Sequence, residues 1–219
     1  MIYVTGDIHG DVTRFCDDNM IREGIVPSKE DVFIVCGDFG IPFGEAYKEA
    51  DEKALKFLYS KPYKICFVDG CHENHFILSK LKTSRWNGGL IGLISPNVFY
   101  MKRGELFNLQ GKTIFTFGGG ESPDKKQRRE GINWWSTEKP SLEEYKHGAR
   151  KLILNGHKVD YVITHTPPAS FDICANEVTE NLSIYKERIT YKQWYCGNLH
   201  VDKTFHDFHA VYQKFIRLE

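Results

Sequence analysis

The chain carries no net charge: 29 lysines and arginines balance 29 aspartates and glutamates over 219 residues. Nonspecific nucleic-acid binding and adhesion to anionic membranes both need a basic field, so this balance counts against them. A nucleotide substrate stays open, because it needs only local positive charge. Long apolar runs are also missing. The stretch from Leu90 to Met101 is interrupted by Pro96 and Asn97 and is too short to span a bilayer. Met1 to Asp7 has neither a basic n-region nor an apolar h-region, so no signal peptide is expected. Cys16, Cys36, Cys66, Cys71, Cys174 and Cys196 form no C-x-x-C pair. Free buried thiols in a cytoplasmic protein are therefore expected. The chain has no G-x-x-x-x-G-K-S/T phosphate loop, no G-x-S-x-G elbow and no internal repeat. Gly118-Gly119-Gly120 does not continue as G-x-G-x-x-G.

What remains is ample for one folded unit. A hydrophobic content of 41% supplies a core, and the length suits a single domain over residues 1–219. Ile2 to Thr5, Val32 to Cys36 and Ile65 to Val68 are short continuous apolar runs, each followed closely by glycine and aspartate. Such runs read as strands buried on both faces, beneath helices. Further strands are expected at 98–101, 106–109, 113–117, 159–164, 194–196 and 210–216. Helical spacing of Tyr47, Ala50, Ala54 and Leu58 predicts a helix that Pro62 closes. Ser141 with Glu144 forms a capping box ahead of a second helix that ends at Asn155-Gly156. Pattern alone predicts a mixed α/β fold. Residues 118–140 read as an irregular insertion, of the length that is usually functional or mobile.

The chemistry sits at the strand ends. Asp7-Ile8-His9 follows the first strand, and residues two apart can point at one ion. Asp38 follows the second strand after Gly37, and a carboxylate with two oxygens can bridge two ions. Gly70-Cys71-His72-Glu73-Asn74 follows the third. His165 ends Val162-Ile163-Thr164-His165, and Gly197-Asn198-Leu199-His200 follows the strand near 194–196. Sites in open α/β sheets collect beyond the carboxyl ends of the strands, so these loops can converge. Aspartate and histidine suit a divalent metal that activates water.

In order and spacing the set resembles the calcineurin-like metallophosphoesterase family, whose pattern is D-x-H, G-D, G-N-H-E/D, H and G-H-x-H. The resemblance runs from residue 2 to the last strand. It implies a four-layer α/β/β/α sandwich with two mixed sheets. It also implies one or two divalent ions (Mn, Fe or Zn) and hydrolysis of phosphate mono- or diesters by metal-activated hydroxide. The first ion would be held by Asp7, His9, Asp38 and His200. The second would be held by Asp38, Cys71, His165 and Asn198. Two of these depart from the pattern. Cys71 stands where the family has asparagine, and as a thiolate it would favour Zn or Fe over Mg. Asn198 stands where the family has histidine, and an amide oxygen is the weaker ligand. His72 would donate the proton to the leaving oxygen, alongside the catalytic carboxylate of Asp38. Arg128 and Arg129, in the basic run from Lys125, would receive the substrate phosphate, with Trp134 or Trp135 as a stacking or lid element. His75, His147, His157, His206 and His209 match no family position and read as surface or packing residues. The expected substrate is a small phosphoester or nucleotide, with neither membrane nor extended nucleic acid as partner. The alternative is a degenerate one-metal or non-catalytic binding module of the same fold.

Overall fold

The structure is a computed structural model that describes residues 1–171 and 175–219; Cys174 lies outside the described residues. In chain order the elements are β1 (Ile2–Thr5), α1 (Asp17–Arg22), β2 (Val32–Val35), α2 (Lys48–Tyr59), β3 (Lys64–Phe67) and α3 (His75–Lys80). Five strands follow: β4 (Lys82–Trp86), β5 (Gly89–Ser95), β6 (Val98–Met101), β7 (Glu105–Leu109) and β8 (Lys112–Phe117). The remainder is α4 (Leu142–Leu154), β9 (Tyr161–Thr164), α5 (Glu177–Arg188), β10 (Gln193–Cys196), β11 (Lys203–Phe205), β12 (Phe208–Ala210) and β13 (Ile216–Arg217).

The strands form two mixed sheets. One has seven strands in the order β13-β1-β2-β3-β6-β5-β4, and the other six in the order β11-β12-β10-β9-β8-β7. Each has a parallel centre, β1-β2-β3-β6 or β12-β10-β9-β8, flanked by antiparallel strands. Val4, Ile34, Cys66 and Phe99 of the first sheet meet Ile114, Tyr161, Ile163 and Tyr195 of the second in a core between the sheets. On the outer face of the first sheet, Tyr3, Phe33, Ile65 and Phe67 pack with Met20, Leu58 and Leu78 of the helices. On the outer face of the second, Phe115, Phe117, Val162 and Trp194 pack with Tyr145, Leu152, Leu182 and Tyr185. The layers are therefore α/β/β/α, as the resemblance implied. Continuous apolar strands follow from this arrangement, since each central strand is covered on both faces.

The capping box is present: Glu144 N–H donates to Ser141 Oγ at 3.3 Å, and Ser141 N–H donates to Glu144 Oε2 at 2.8 Å. The structure corrects several boundaries. Leu90 to Met101 breaks at Pro96-Asn97, as read, with the expected strand at 98–101, but β4 and β5 are strands that were not expected, and Asn87-Gly88, both at positive φ, turns β4 into β5. The strand expected at 210–216 divides between the sheets. Asp202 explains the division: its carboxylate accepts the N–H groups of Tyr212, Gln213 and Lys214, which turns the chain out of the second sheet before Ile216 pairs with β1. Within 118–140 the chain makes only 3-10 turns at Lys125–Gln127 and Ser136–Glu138 and a bridge between Glu130 and Trp134. No helix among the described residues is long and apolar enough to cross a membrane.

Candidate metal centre

Parallel strands of both sheets end on the same side, and the loops after β1, β2, β3, β9 and β10 meet there. Asp7, His9, Asp38 and His200 each offer one ligand atom, and those atoms all lie within 4.8 Å of one another. His200 Nε2 is 2.9 Å from Asp7 Oδ2 and 3.1 Å from His9 Nε2, while His9 Nδ1 is 3.8 Å from Asp38 Oδ2. Asp7 and Asp38 are buried, and the two imidazoles are open to solvent. Backbone strain concentrates here: His9, Asp38, Asn198 and His200 all have φ between 46° and 63°. Side chains rarely adopt that region, which costs about 1–3 kcal/mol per residue and persists only where the surroundings enforce it. Glycines allow the close approach. A Cβ on Gly197 would collide with the Asp7 carboxylate, and one on Gly37 with the His165 ring.

His165 lies beside this set rather than in it. It is completely buried; its Nδ1 sits 3.1 Å from the Cys36 carbonyl, and its Nε2 has no hydrogen-bond partner. With the Nδ1 proton on that carbonyl, the Nε2 lone pair faces Asp38 Oδ1 at 3.5 Å, the arrangement of an imidazole set to bind a metal. The other two residues expected there are less suited. The Cys71 sulfur lies against the backbone of Gly120. Burial, then the charges of Asp38 and Glu138, push its thiol well up, against a hydrogen bond with Ser122. That keeps it protonated in this setting, and a thiol is a poor ligand until it ionises. Asn198 is exposed, and it is its backbone N–H that serves the site, donating to both oxygens of Asp7 at 3.0 and 3.1 Å.

The carboxylates differ. Burial, with Asp38 nearby, raises the Asp7 carboxyl despite His165. Burial alone would raise Asp38 too, but His165, His72 and the His72 N–H hold it low. His9 is lowered by burial, against the pull of Asp38 and Asp7. His165 is raised: burial works against its cation, and Asp38 and Asp7 overcome it.

The family model described as calcineurin-like phosphoesterase matches residues 1–213. The chain belongs to that family. No curated protein matches it. Among solved structures, phosphopantetheinyl hydrolase from Mycobacterium tuberculosis is similar at 14% identity and a TM-score of 0.43, over 97% of this chain and 89% of that one.

For a calcineurin-like phosphoesterase, which uses divalent metal, Asp7, His9, Asp38 and His200 are a fitting oxygen and nitrogen donor set. The unpartnered Nε2 of buried His165 is a fitting further donor, whereas Cys71 and Asn198 are not in their present form. His72 stands at the edge of the cluster, its ring centroid 5.0 Å from that of His9 and its backbone N–H donating to Asp38 Oδ1 at 2.7 Å. Arg128 is brought to it: guanidinium nitrogens lie 3.5 and 3.3 Å from the two ring nitrogens, and Nε pairs with Asp124 at 2.8 Å. Burial first, then Arg128, lowers the His72 imidazole, while Asp38 resists. Arg129 is not brought in; its side chain is exposed and pairs with nothing among the described residues, and only its backbone is held, the N–H by Asn133 Oδ1 and the carbonyl by the N–H groups of Ile132 and Asn133. Trp135 is buried and packs edge-on against Phe43, with centroids 5.7 Å apart, so it is a wall and not a lid.

Three supporting contacts are not legible in the sequence, although Glu73 itself stands in the Gly70-Cys71-His72-Glu73-Asn74 motif. Arg14 donates to the carbonyls of Gly6 at 2.7 Å and Asp7 at 3.0 Å and fixes the first ligand loop from behind. Buried Glu73 accepts Phe39 N–H at 2.8 Å and Gly70 N–H at 3.0 Å, tying the second loop to the third. Burial and the nearby Asp38 and Asp69 charges raise its carboxyl well above the usual range. Completely buried Asp69 accepts from Tyr100 at 2.9 Å and from Arg103 Nε at 2.9 Å, and His75 donates toward the Gly70 carbonyl from 3.1 Å. Of the two roles expected for His75, surface or packing, the structure shows the second: it is buried against the loop that carries His72. Asp-Gly before a metal-type residue was the one available signal for Asp69.

Proposed function

We propose that residues 1–219 act as one metal-dependent phosphoesterase unit that hydrolyses phosphate mono- or diesters. The observation that carries the reading is the convergence of Asp7, His9, Asp38 and His200 beside His72 and Arg128. A divalent ion (Mn, Fe or Zn) bound by those four residues would acidify water and neutralise phosphoryl oxygens. The chain's own residues do the rest. Arg128 offers a planar pair of donors to the phosphoryl group. His72 holds a proton beside the leaving oxygen, and its lowered imidazole makes it the stronger acid once protonated. The His72 backbone N–H to Asp38 fixes the loop, and Asp38, which holds that loop, would also be a ligand of the ion. Asp38, His165, Cys71 and Asn198 would hold a second ion weakly, since only the first two are good donors as they stand. The balanced charge supports a small phosphoester or nucleotide as substrate.

The second reading, a one-metal or non-catalytic binding module of the same fold, draws on the raised Cys71 thiol and the exposed Asn198. One experiment separates them. Protein purified without chelator is analysed for metal and assayed with 4-nitrophenyl phosphate and bis(4-nitrophenyl) phosphate, with Mn or Zn added. Bound metal with chelator-sensitive turnover supports the enzyme. Bound metal without turnover supports the module, and no metal in either condition overturns both.

A further inference from the structure

Two clefts of opposite character meet at His9. The imidazoles of His72, His9 and His200 form a row, with centroids 5.0 Å apart on one side of His9 and 5.1 Å on the other. At the His72 end lies a cleft of about 310 Å³, walled by Ile41, Phe43, Tyr47 and Ala54. Phe43 and Tyr47 pair edge to face at 5.2 Å, backed by Trp135. At the His200 end lies a cleft of about 520 Å³ lined by polar side chains, among them Asp11, Asn19, Arg22, Glu23 and Gln213, while the Arg14 guanidinium in its wall is held by Thr5, Gly6 and Asp7. Tyr212 closes it, stacked on His200 with centroids 4.9 Å apart.

From this pairing we infer that the substrate is a phosphodiester with unlike arms: a flat apolar leaving group in the first cleft and a polar, hydroxyl-bearing retained group in the second. The inference rests on the phosphoesterase reading and names the substrate class within it. A phosphate bound at the histidine row has its leaving oxygen toward His72, which points that arm at Phe43 and Tyr47. Aromatic walls favour a flat apolar group there. A monoester has no second arm and leaves the larger, polar cleft unused. In the reaction, water adds to phosphorus and the P–O bond to the leaving arm breaks. One proton of that water ends on the leaving oxygen and the other on the product phosphate, so the retained arm departs as a phosphate monoester.

The test compares thymidine 5′-(4-nitrophenyl phosphate), which has both arms, with 4-nitrophenyl phosphate, which has one, in the Mn-loaded protein. The expected result is a higher kcat/KM for the diester. Arg22→Ala should lower the diester-to-monoester ratio about three- to ten-fold, the worth of one hydrogen bond. Tyr47→Ala should lower kcat/KM for both compounds by similar factors, since both place nitrophenyl in the same cleft. Arg22 and Tyr47 are exposed, so neither change threatens the fold. A parent that prefers the monoester, or a ratio indifferent to Arg22, overturns the inference while leaving the phosphoesterase reading intact. If neither compound is turned over, that reading fails. Calorimetric titration of both compounds into the Mn-loaded His72→Ala protein then decides the two-cleft inference alone. Weaker diester binding on adding Arg22→Ala supports it, and equal binding overturns it.

Discussion

The unpartnered Nε2 of His165 faces Asp38 Oδ1 at 3.5 Å, while its other nitrogen is committed to the Cys36 carbonyl. An imidazole buried with one nitrogen unsatisfied is costly unless a cation completes it. Asp38 is the shared element, because one oxygen lies near His165 and the other near His9. We therefore expect Asp38→Asn to reduce metal content most. His165→Ala should keep the ion at Asp7, His9 and His200 and weaken any second ion by at least about 10-fold. Elemental analysis against added Mn or Zn checks both. Equal losses from the two variants would show that a single ion needs both residues.

His72→Ala is expected to lower turnover by about 10²-fold for a poor leaving group and by less for nitrophenol, which needs no proton. Arg128→Ala should act mainly on KM, raising it by about 10-fold, the worth of a charge-assisted hydrogen bond. Steady-state kinetics on esters of graded leaving-group pKa separate these roles. Equal losses across the series would make His72 a structural residue.

The ligand loops were legible because they follow the ends of short continuous apolar strands and carry residue types that are rare together. Their supports were not legible: Asp69 and Arg103 meet across 34 residues and Glu73 reaches Phe39 across 34, while the local contacts of Arg14 and of Glu73 with Gly70 carry no sequence signature. Arg128 and Arg129 show the limit. They are adjacent and alike in sequence, and only the Asp124 pairing, with the turn at Lys125–Gln127, selects the one that reaches His72. Pattern alone was readable as mixed α/β, the four layers only through the family resemblance, and the sheet edges not at all. The switch between sheets at Tyr212 depends on Asp202, ten residues upstream, and no local pattern announces it.

His75 gives a pH prediction away from the metal ligands themselves. Burial lowers its imidazole to about 4, with Arg103 assisting and Asp69 opposing. In the unfolded chain it titrates near ~6.5. Above that pH both states are neutral and stability is at its full value. As pH falls from ~6.5 toward about 4, only the unfolded chain takes up the proton, so stability is lost across that window. The loss is of order 3 kcal/mol. Urea midpoints from pH 7 to pH 4.5 should fall steeply in the parent and less steeply in His75→Gln, whose amide can still meet the Gly70 carbonyl. Parallel curves would assign the slope to other groups.

The two departures, Cys71 and Asn198, supply the sharpest test. Asn198 is exposed and at positive φ, a conformation asparagine tolerates better than most residues. Histidine already adopts it at His9 and His200, so Asn198→His should fold. It offers a nitrogen donor on the residue whose backbone N–H meets Asp7, in place of an amide. Cys71→Asn removes a thiol that burial holds protonated, and so removes a ligand only under conditions that ionise it. We expect the double variant to bind more Mn per chain and to turn over faster at limiting Mn, with most of the gain already present in Asn198→His. Cys71→Asn alone should lose Zn affinity, because Zn is the ion best able to displace the thiol proton. The parent should then prefer Zn and the double variant accept Mn. Titration of metal content with each ion, followed by rates at matched occupancy, reads both effects. If occupancy and rate stay at the parent's values in the double variant, these two positions do not form a second metal site. The four-residue cluster would then stand as a one-metal centre.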